Sequence, residues 1–194
     1  MFNQIRPAIV LTLLLSGITG LAYPLAITGV AQAAFPEQAN GSRIENEGLV
    51  IGSALIGQSF TQPGYFWPRP SATGPEAYNA AGSSGSNIGP TGKPLIERVD
   101  AAVQALGGGL VPADAVTTSA SGLDPHISPA NSARQTARVA EARGVSANDV
   151  TAVVAGVTEG PLLGIFGEPR VNVLRLNLAL DAALPSKEQD GSPD

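Results

Sequence analysis

Cysteine is absent from the 194 residues, histidine occurs once, and only 14% of the chain is charged. Without cysteine there is no disulfide framework and no thiolate metal site. A single histidine excludes the usual zinc clusters. Aromatic residues make up 5% of the chain, so a core has to be built largely from Ala, Val, Leu and Ile. Basic residues are few as well: 11 Lys and Arg stand against 16 Asp and Glu, for a net charge of −5. With Arg6 set aside the remainder carries −6, which argues against nucleic acid and anionic lipid as partners. What the chain has in quantity is Gly (23) and Pro (16), the mark of a loop-rich domain.

One absence is local. From Pro7 to Pro36 no side chain is charged, between Arg6 and Glu37. A hydrocarbon core of about 30 Å needs roughly 20 apolar helical residues to span it. Ile9 to Phe35 supplies these with some excess, so residues 1–36 read as a short N-terminus and one transmembrane helix. The competing reading is a cleaved secretory signal, since Ala31-Gln32-Ala33 before Ala34 has the small-x-small form of a cleavage site. A signal's apolar region is usually about 7–15 residues, and this one is far longer, with Tyr23 and Pro24 in its middle. A proline in a membrane helix is tolerated where neighbouring groups satisfy the freed carbonyl. Arg6 on one flank, against Glu37, Arg43, Glu45 and Glu47 on the other, predicts a cytoplasmic N-terminus and an extracytoplasmic domain.

Behind the anchor, residues 37–184 read as one soluble α+β domain and 185–194 as a disordered tail. Phe35 to Gly48 is expected to be a polar linker. Leu49 to Phe60, glycine-bounded and rich in Val, Ile and Leu, suggests one or two short strands. An aromatic and proline cluster follows at Tyr65, Phe66, Trp67, Pro68, Arg69 and Pro70, suited either to an interface or to a core short of large side chains. Ser71 to Gly92 is expected to be a long loop. Leu95, Val99, Ala102, Val103 and Leu106 mark an amphipathic helix opened by Pro94 and stopped by Gly107 to Gly109. Ser128-Pro129 starts a second, with an alanine-rich ridge expected to bury little. Ser146 with Asp149 starts a third. Val171, Val173, Leu174, Leu176, Leu178 and Leu180 suggest a strand and then a short helical end. The expected architecture is three helices around a small mixed sheet.

Catalytic signatures fail one by one. Asn87 to Pro94 looks like a phosphate-binding loop, but Asn87 stands where glycine is needed and Pro94 where Ser or Thr must hold magnesium. No Gly-x-Ser-x-Gly elbow exists; Gly82-Ser83-Ser84-Gly85-Ser86 misses its last glycine. The aspartyl-phosphate signature of an ion pump and a potassium selectivity-filter sequence are both missing. The most chemically loaded stretch is Thr117 to Ser128, where hydroxyls, Asp124, the lone His126 and a helix N-terminus converge. A helix N-terminus can bind an anion. The plainer reading is that Asp124 or Ser128 caps the helix and stitches a turn.

Eight segments, in order, resemble the C subunit of the Kdp potassium-transporting P-type ATPase, the KdpC family. They begin with Gly20-Leu-Ala-Tyr-Pro-Leu25 in the anchor, Asn40-Gly-Ser42 and Gly52-Ser-Ala-Leu-Ile-Gly-Gln58. Tyr65-Phe-Trp-Pro-Arg-Pro-Ser71, Tyr78-Asn79 with Gly82 to Asn87, and Ser121-Gly-Leu-Asp-Pro-His-Ile-Ser128 follow. Pro129-Ala-Asn131 with Ala133-Arg-Gln135, and Gly164-Ile-Phe-Gly-Glu-Pro-Arg-Val-Asn-Val-Leu174 with Leu176-Asn-Leu178, complete the set. The resemblance implies a single-span accessory subunit of a bacterial inner-membrane complex, with no active site and no intrinsic cofactor of its own. Its implied partners are a channel-like potassium-binding subunit and a P-type ATP-hydrolysing subunit. The family has been described as a catalytic chaperone that raises the hydrolytic subunit's affinity for ATP through a ternary complex. On that description Ser119, Ser121, Gly122, Leu123, Asp124 and His126 are the candidate nucleotide or partner contacts. An extracytoplasmic domain has no access to ATP, so the flanking charges favour a structural role over the outer potassium entrance. A free periplasmic binding or hydrolytic domain, released by signal cleavage, is the alternative.

Overall fold

In the computed structural model, which describes residues 2–46 and 48–185, the uncharged run is helical from Ile5 to Ala34. At 1.5 Å per residue, 30 helical residues reach about 45 Å, more than a bilayer's hydrocarbon core requires. None of the span's side chains is buried by the protein itself. α1 (Ile5–Gly17) passes through a π turn at Ile18–Ala22 into α2 (Tyr23–Ala34). Pro24 explains the turn: it offers no N–H to the carbonyl four residues back, and its ring crowds that carbonyl. A widened turn in which Tyr23 N–H donates to the Ile18 carbonyl takes up the misfit and keeps the helix continuous. The Thr19 hydroxyl satisfies the Leu15 carbonyl at 2.8 Å.

The polar segment beyond the anchor is more structured than a linker. α3 (Pro36–Ala39) ends in a turn through Gly41, and β1 (Arg43–Asn46) pairs with β2 (Leu49–Ser53) in a two-stranded sheet. A first compact unit extends to Ile51 and a second starts at Gly52.

The second unit contains α4 (Lys93–Ala105), α5 (Ala113–Val116), β3 (His126–Ile127), α6 (Pro129–Arg143), α7 (Ala147–Val157), β4 (Thr158–Glu159), β5 (Arg170–Asn172) and α8 (Val173–Ala183). The three expected helices are α4, α6 and α7. Ser128 caps α6 by accepting from Asn131 N–H at 3.0 Å, and Ser146 caps α7 by accepting from Asp149 N–H at 3.1 Å. Gly144, at φ 66°, closes α6 in the left-handed conformation that glycine adopts at little cost. The sheet has the order β3-β5-β4, and both pairings are antiparallel. β5 sits in the middle, with Val171 opposite both Ile127 and Thr158.

The run after Val171 departs from the expected strand. β5 is three residues long, and Asn172 then caps a helix by accepting from Arg175 N–H at 3.1 Å. Val173, Leu176, Asn177 and Leu180 form the buried face of α8 at helical spacing. The polar Asn177 within that face hides the 3.6-residue period from a reading that counts apolar residues only. The core is Phe66, Ile127, Val139, Val150, Val154, Val171, Leu176 and Leu180, contributed by α6, α7, α8, the sheet and one loop aromatic. Burying a large apolar side chain is worth about 1.5–3 kcal/mol.

Candidate functional site

The aromatic cluster is held by side chains rather than by a strand partner. Asn177, buried on α8, accepts from Phe66 N–H at 2.8 Å and donates to the Phe66 carbonyl at 3.1 Å. Gln135, buried on α6, repeats the arrangement one residue on: it accepts from Trp67 N–H at 2.8 Å and donates to the Trp67 carbonyl at 3.0 Å. Arg138 donates to the carbonyls of Pro63 and Tyr65, and Arg143 Nε to that of Gly64. Backbone groups that would be costly to bury unpaired are thus each given a partner. Arg138 also stacks over the Trp67 ring at 3.7 Å, and Arg143 over Tyr65 at 4.9 Å. Arg143, 1% exposed at its side chain, is neutralised by Asp181 at 2.8 Å, which in turn accepts from the Tyr65 hydroxyl at 3.0 Å. Burial and the bond to Asp181 raise the Tyr65 pKa. Burial, helped by the neighbouring Arg134, lowers that of Arg138 to about 10. Phe66 belongs to the core at 0% exposure, while Tyr65 and Trp67 are half-buried beside it.

The Ser119–His126 loop lies against the segment that continues this ribbon. Ser119 Oγ accepts from Gly122 N–H at 2.8 Å, and Ser121 Oγ from Leu123 N–H at 3.1 Å. The Ser121 carbonyl receives Ser84 N–H at 2.9 Å and the Leu123 carbonyl receives Gly57 N–H at 2.8 Å. Ser71 Oγ donates to the Gly122 carbonyl at 2.7 Å. Gly122 has φ 68°, and a Cβ placed there would stand 2.6 Å from the Ser84 carbonyl oxygen. Only glycine fits both the dihedral and the space. Asp124 accepts from Arg69 at 2.7 Å with one oxygen and from His126 N–H at 3.0 Å with the other, which also lies 3.4 Å from His126 Nδ1. Burial would raise the Asp124 pKa, but the donors of His126 and Arg69 outweigh it and hold the carboxyl at about 2. Pairing of His126 and Ile127 with β5, and a bond from Val173 N–H to the Pro125 carbonyl, fix the end of the loop.

The α6 N-terminus, where an anion would bind, carries the protein's own carboxylate. Asp114 accepts from Ser128 N–H at 2.7 Å, from the Ser128 hydroxyl at 2.9 Å and from Asn131 Nδ2 at 3.1 Å. Beside the ribbon lies a cavity of about 340 Å³ lined by Phe60, Trp67, Arg69, Ser71 and Tyr78 among others. Arg69 is the only cation in that lining, and Asp124 already holds it. The Tyr78 hydroxyl donates to the Arg69 carbonyl, and burial with the nearby Asp124 raises its pKa. The hydroxyl oxygens of Ser119, Ser121 and Ser128 accept from backbone amides and that of Ser128 also donates to Asp114; among the described residues no hydroxyl is hydrogen-bonded to the His126 ring. Among the described residues no group of three His, Asp or Glu could hold a metal ion.

Five of the six residues singled out from sequence therefore lie in one bonded turn, with Ser119, Ser121, Gly122, Leu123 and Asp124 linked through it and His126 at its exit on β3. Sequence reading passed over Asn177, Gln135, Arg138 and Arg143, which organise the neighbouring ribbon, and Asp114. Their partners lie far along the chain, 111 residues away for Asn177.

A family model described as "KdpC: K+-transporting ATPase, c chain" matches residues 5–182. The Potassium-transporting ATPase KdpC subunit of Sorangium cellulosum (strain So ce56) is 57% identical over 189 residues, 94% of this chain and 100% of that one. Those of Polaromonas naphthalenivorans (strain CJ2) and Allorhizobium ampelinum (strain ATCC BAA-846 / DSM 112012 / S4) are 55% and 58% identical. They cover 95% and 94% of this chain and 97% and 98% of their own. Since the match takes in anchor, ribbon, loop and α8 together, the chain belongs to the KdpC family.

Proposed function

We propose that this chain is a non-catalytic, single-span subunit of an ATP-driven potassium-uptake complex, with its domain on the extracytoplasmic side of the bacterial inner membrane. The observation that carries the reading is the family match, which begins at residue 5, within the apolar helix, and runs almost to the end of α8. A match that includes the helix supports its retention as an anchor over its loss as a signal peptide. The helix also continues unbroken across Ala31-Gln32-Ala33.

The partners are a channel-like potassium-binding subunit, beside which the anchor packs, and a P-type ATP-hydrolysing subunit. The domain sits over the outer potassium entrance, where its acidic character mildly favours cations, an effect that salt screens beyond about 8 Å. We take the Ser119–His126 loop as a partner contact or its support, not a nucleotide site. A triphosphate needs free N–H donors and cations; here the loop amides of Gly122 and Leu123 are bonded to serine hydroxyls, and Asp114 and Asp124 occupy the anion positions. A chaperone effect on ATP affinity would then be transmitted through the assembled complex.

Deletion of the gene, in cells with no other high-affinity potassium system, should abolish growth at limiting potassium and restore it on complementation. Normal growth of the deletion strain would contradict the reading.

A further inference from the structure

The turn joining β4 to β5 displays four large apolar side chains within five residues. Leu162, Leu163, Ile165 and Phe166 are 71%, 80%, 78% and 64% exposed. Single exposed apolar residues are ordinary, whereas a contiguous group of a few hundred Å² marks an interaction site. The turn is closed on itself. Leu162 N–H donates to the Phe166 carbonyl at 2.8 Å, Phe166 N–H to the Leu162 carbonyl at 3.0 Å, and Gly164 N–H to the Pro161 carbonyl at 3.0 Å. Leu163 holds φ 54°, in the left-handed region that a bulky side chain avoids, and Gly164 at 74° and Gly167 at 86° follow it. A strained, self-bonded turn that points its apolar residues away from the core is already arranged for binding, and loses little freedom on doing so.

Three occupants compete. A lipid surface favours basic and Trp or Tyr flanks. Here the flanking residues are Glu159 and Glu168, and the nearby Arg170 and Arg175 are paired with Glu159 at 3.0 and 3.5 Å. A second copy meeting this turn through its own would bury a few hundred Å², short of the roughly 800 Å² per partner of a stable pair. A larger protein with a concave apolar socket matches both the shape and the lack of free positive charge, with Phe166 as the aromatic anchor. We propose that the Pro161–Gly167 turn plugs into an apolar socket on another polypeptide of the potassium-transporting ATPase, an inference that rests on reading this chain as a subunit of it.

A photo-crosslinking amino acid at position 163, in the full chain co-expressed with the other chains of the ATPase and purified through a tag on one of them, tests this. Expected is an adduct whose mass is that of this chain plus another chain of the complex. Adducts only with lipid, only with a second copy, or none would overturn the proposal. Leu163→Glu with Phe166→Glu should also lower recovery in the tagged complex about tenfold, the effect of losing roughly 1.4 kcal/mol, with an unchanged melting temperature. Unchanged recovery of that variant contradicts the socket. Failure of the unmodified chain to co-purify at all contradicts subunit membership instead.

Discussion

Asp124 holds Arg69 with one oxygen and the His126 N–H with the other, so its chemistry is that of a fastener. Its folded pKa of about 2 lies below the ordinary 3.8. For a depressed carboxylate the stabilisation is complete above the unfolded value and disappears as pH falls through the folded one. Asp124→Asn should therefore lower stability at pH 7 by on the order of 2 kcal/mol. The gap to the unsubstituted chain should close between about pH 4 and pH 2, as read from melting temperatures of the full chain in detergent. A constant gap across that window would show that the ionised form contributes nothing. At this scale the turn itself was legible, because serine, glycine and aspartate beside a proline announce a turn on their own. Asn177 and Gln135 announce nothing: a side-chain amide that mimics a strand partner for Phe66 or Trp67 depends on the tertiary fold, and local spacing carries no trace of it.

Among the elements, α6 and α7 were legible at both ends, since Ser128, Pro129, Gly144, Ser146 and Asp149 act within a turn or so of where they stand. The face of α6 was not. Its buried stripe is Asn131, Ser132, Gln135, Thr136, Val139, Ala140 and Arg143, mostly polar: the aromatic ribbon satisfies Gln135 and Arg143, Asp114 satisfies Asn131, and Ser132 and Thr136 bond to carbonyls of α6 itself. A scan for apolar periodicity reads such a face as shallow, and because the polar Asn177 interrupts the buried face of α8 it leaves that helix only a short end behind the strand. Asp114 adds a carboxylate to the α6 cap from a different element. Asp114→Ala removes charge-assisted bonds to Ser128 and Asn131 and should cost about 1–3 kcal/mol, whereas Asp114→Asn keeps one acceptor and should cost about half of that. Equal melting temperatures for Asp114→Ala and the unsubstituted chain would mean that Ser128 caps α6 unaided.

For the molecule as a whole, the anchor decides which chemistry the domain can meet. A 30-residue helix with an uncharged interior and a π turn at Pro24 precedes a domain whose Gly122 and Leu123 amides are bonded to serine hydroxyls and whose Asp114 and Asp124 accept from its own donors. Its compartment is the central claim, and the lack of cysteine makes that claim directly measurable. Ala137→Cys lies on the exposed side of α6 and Asn3→Cys beyond the other end of the anchor, each the sole thiol in its chain. In intact spheroplasts a membrane-impermeant maleimide should label Ala137→Cys at once and Asn3→Cys only after lysis. Labelling of Asn3→Cys in intact spheroplasts, with Ala137→Cys protected until lysis, would place the domain beside ATP and contradict the account.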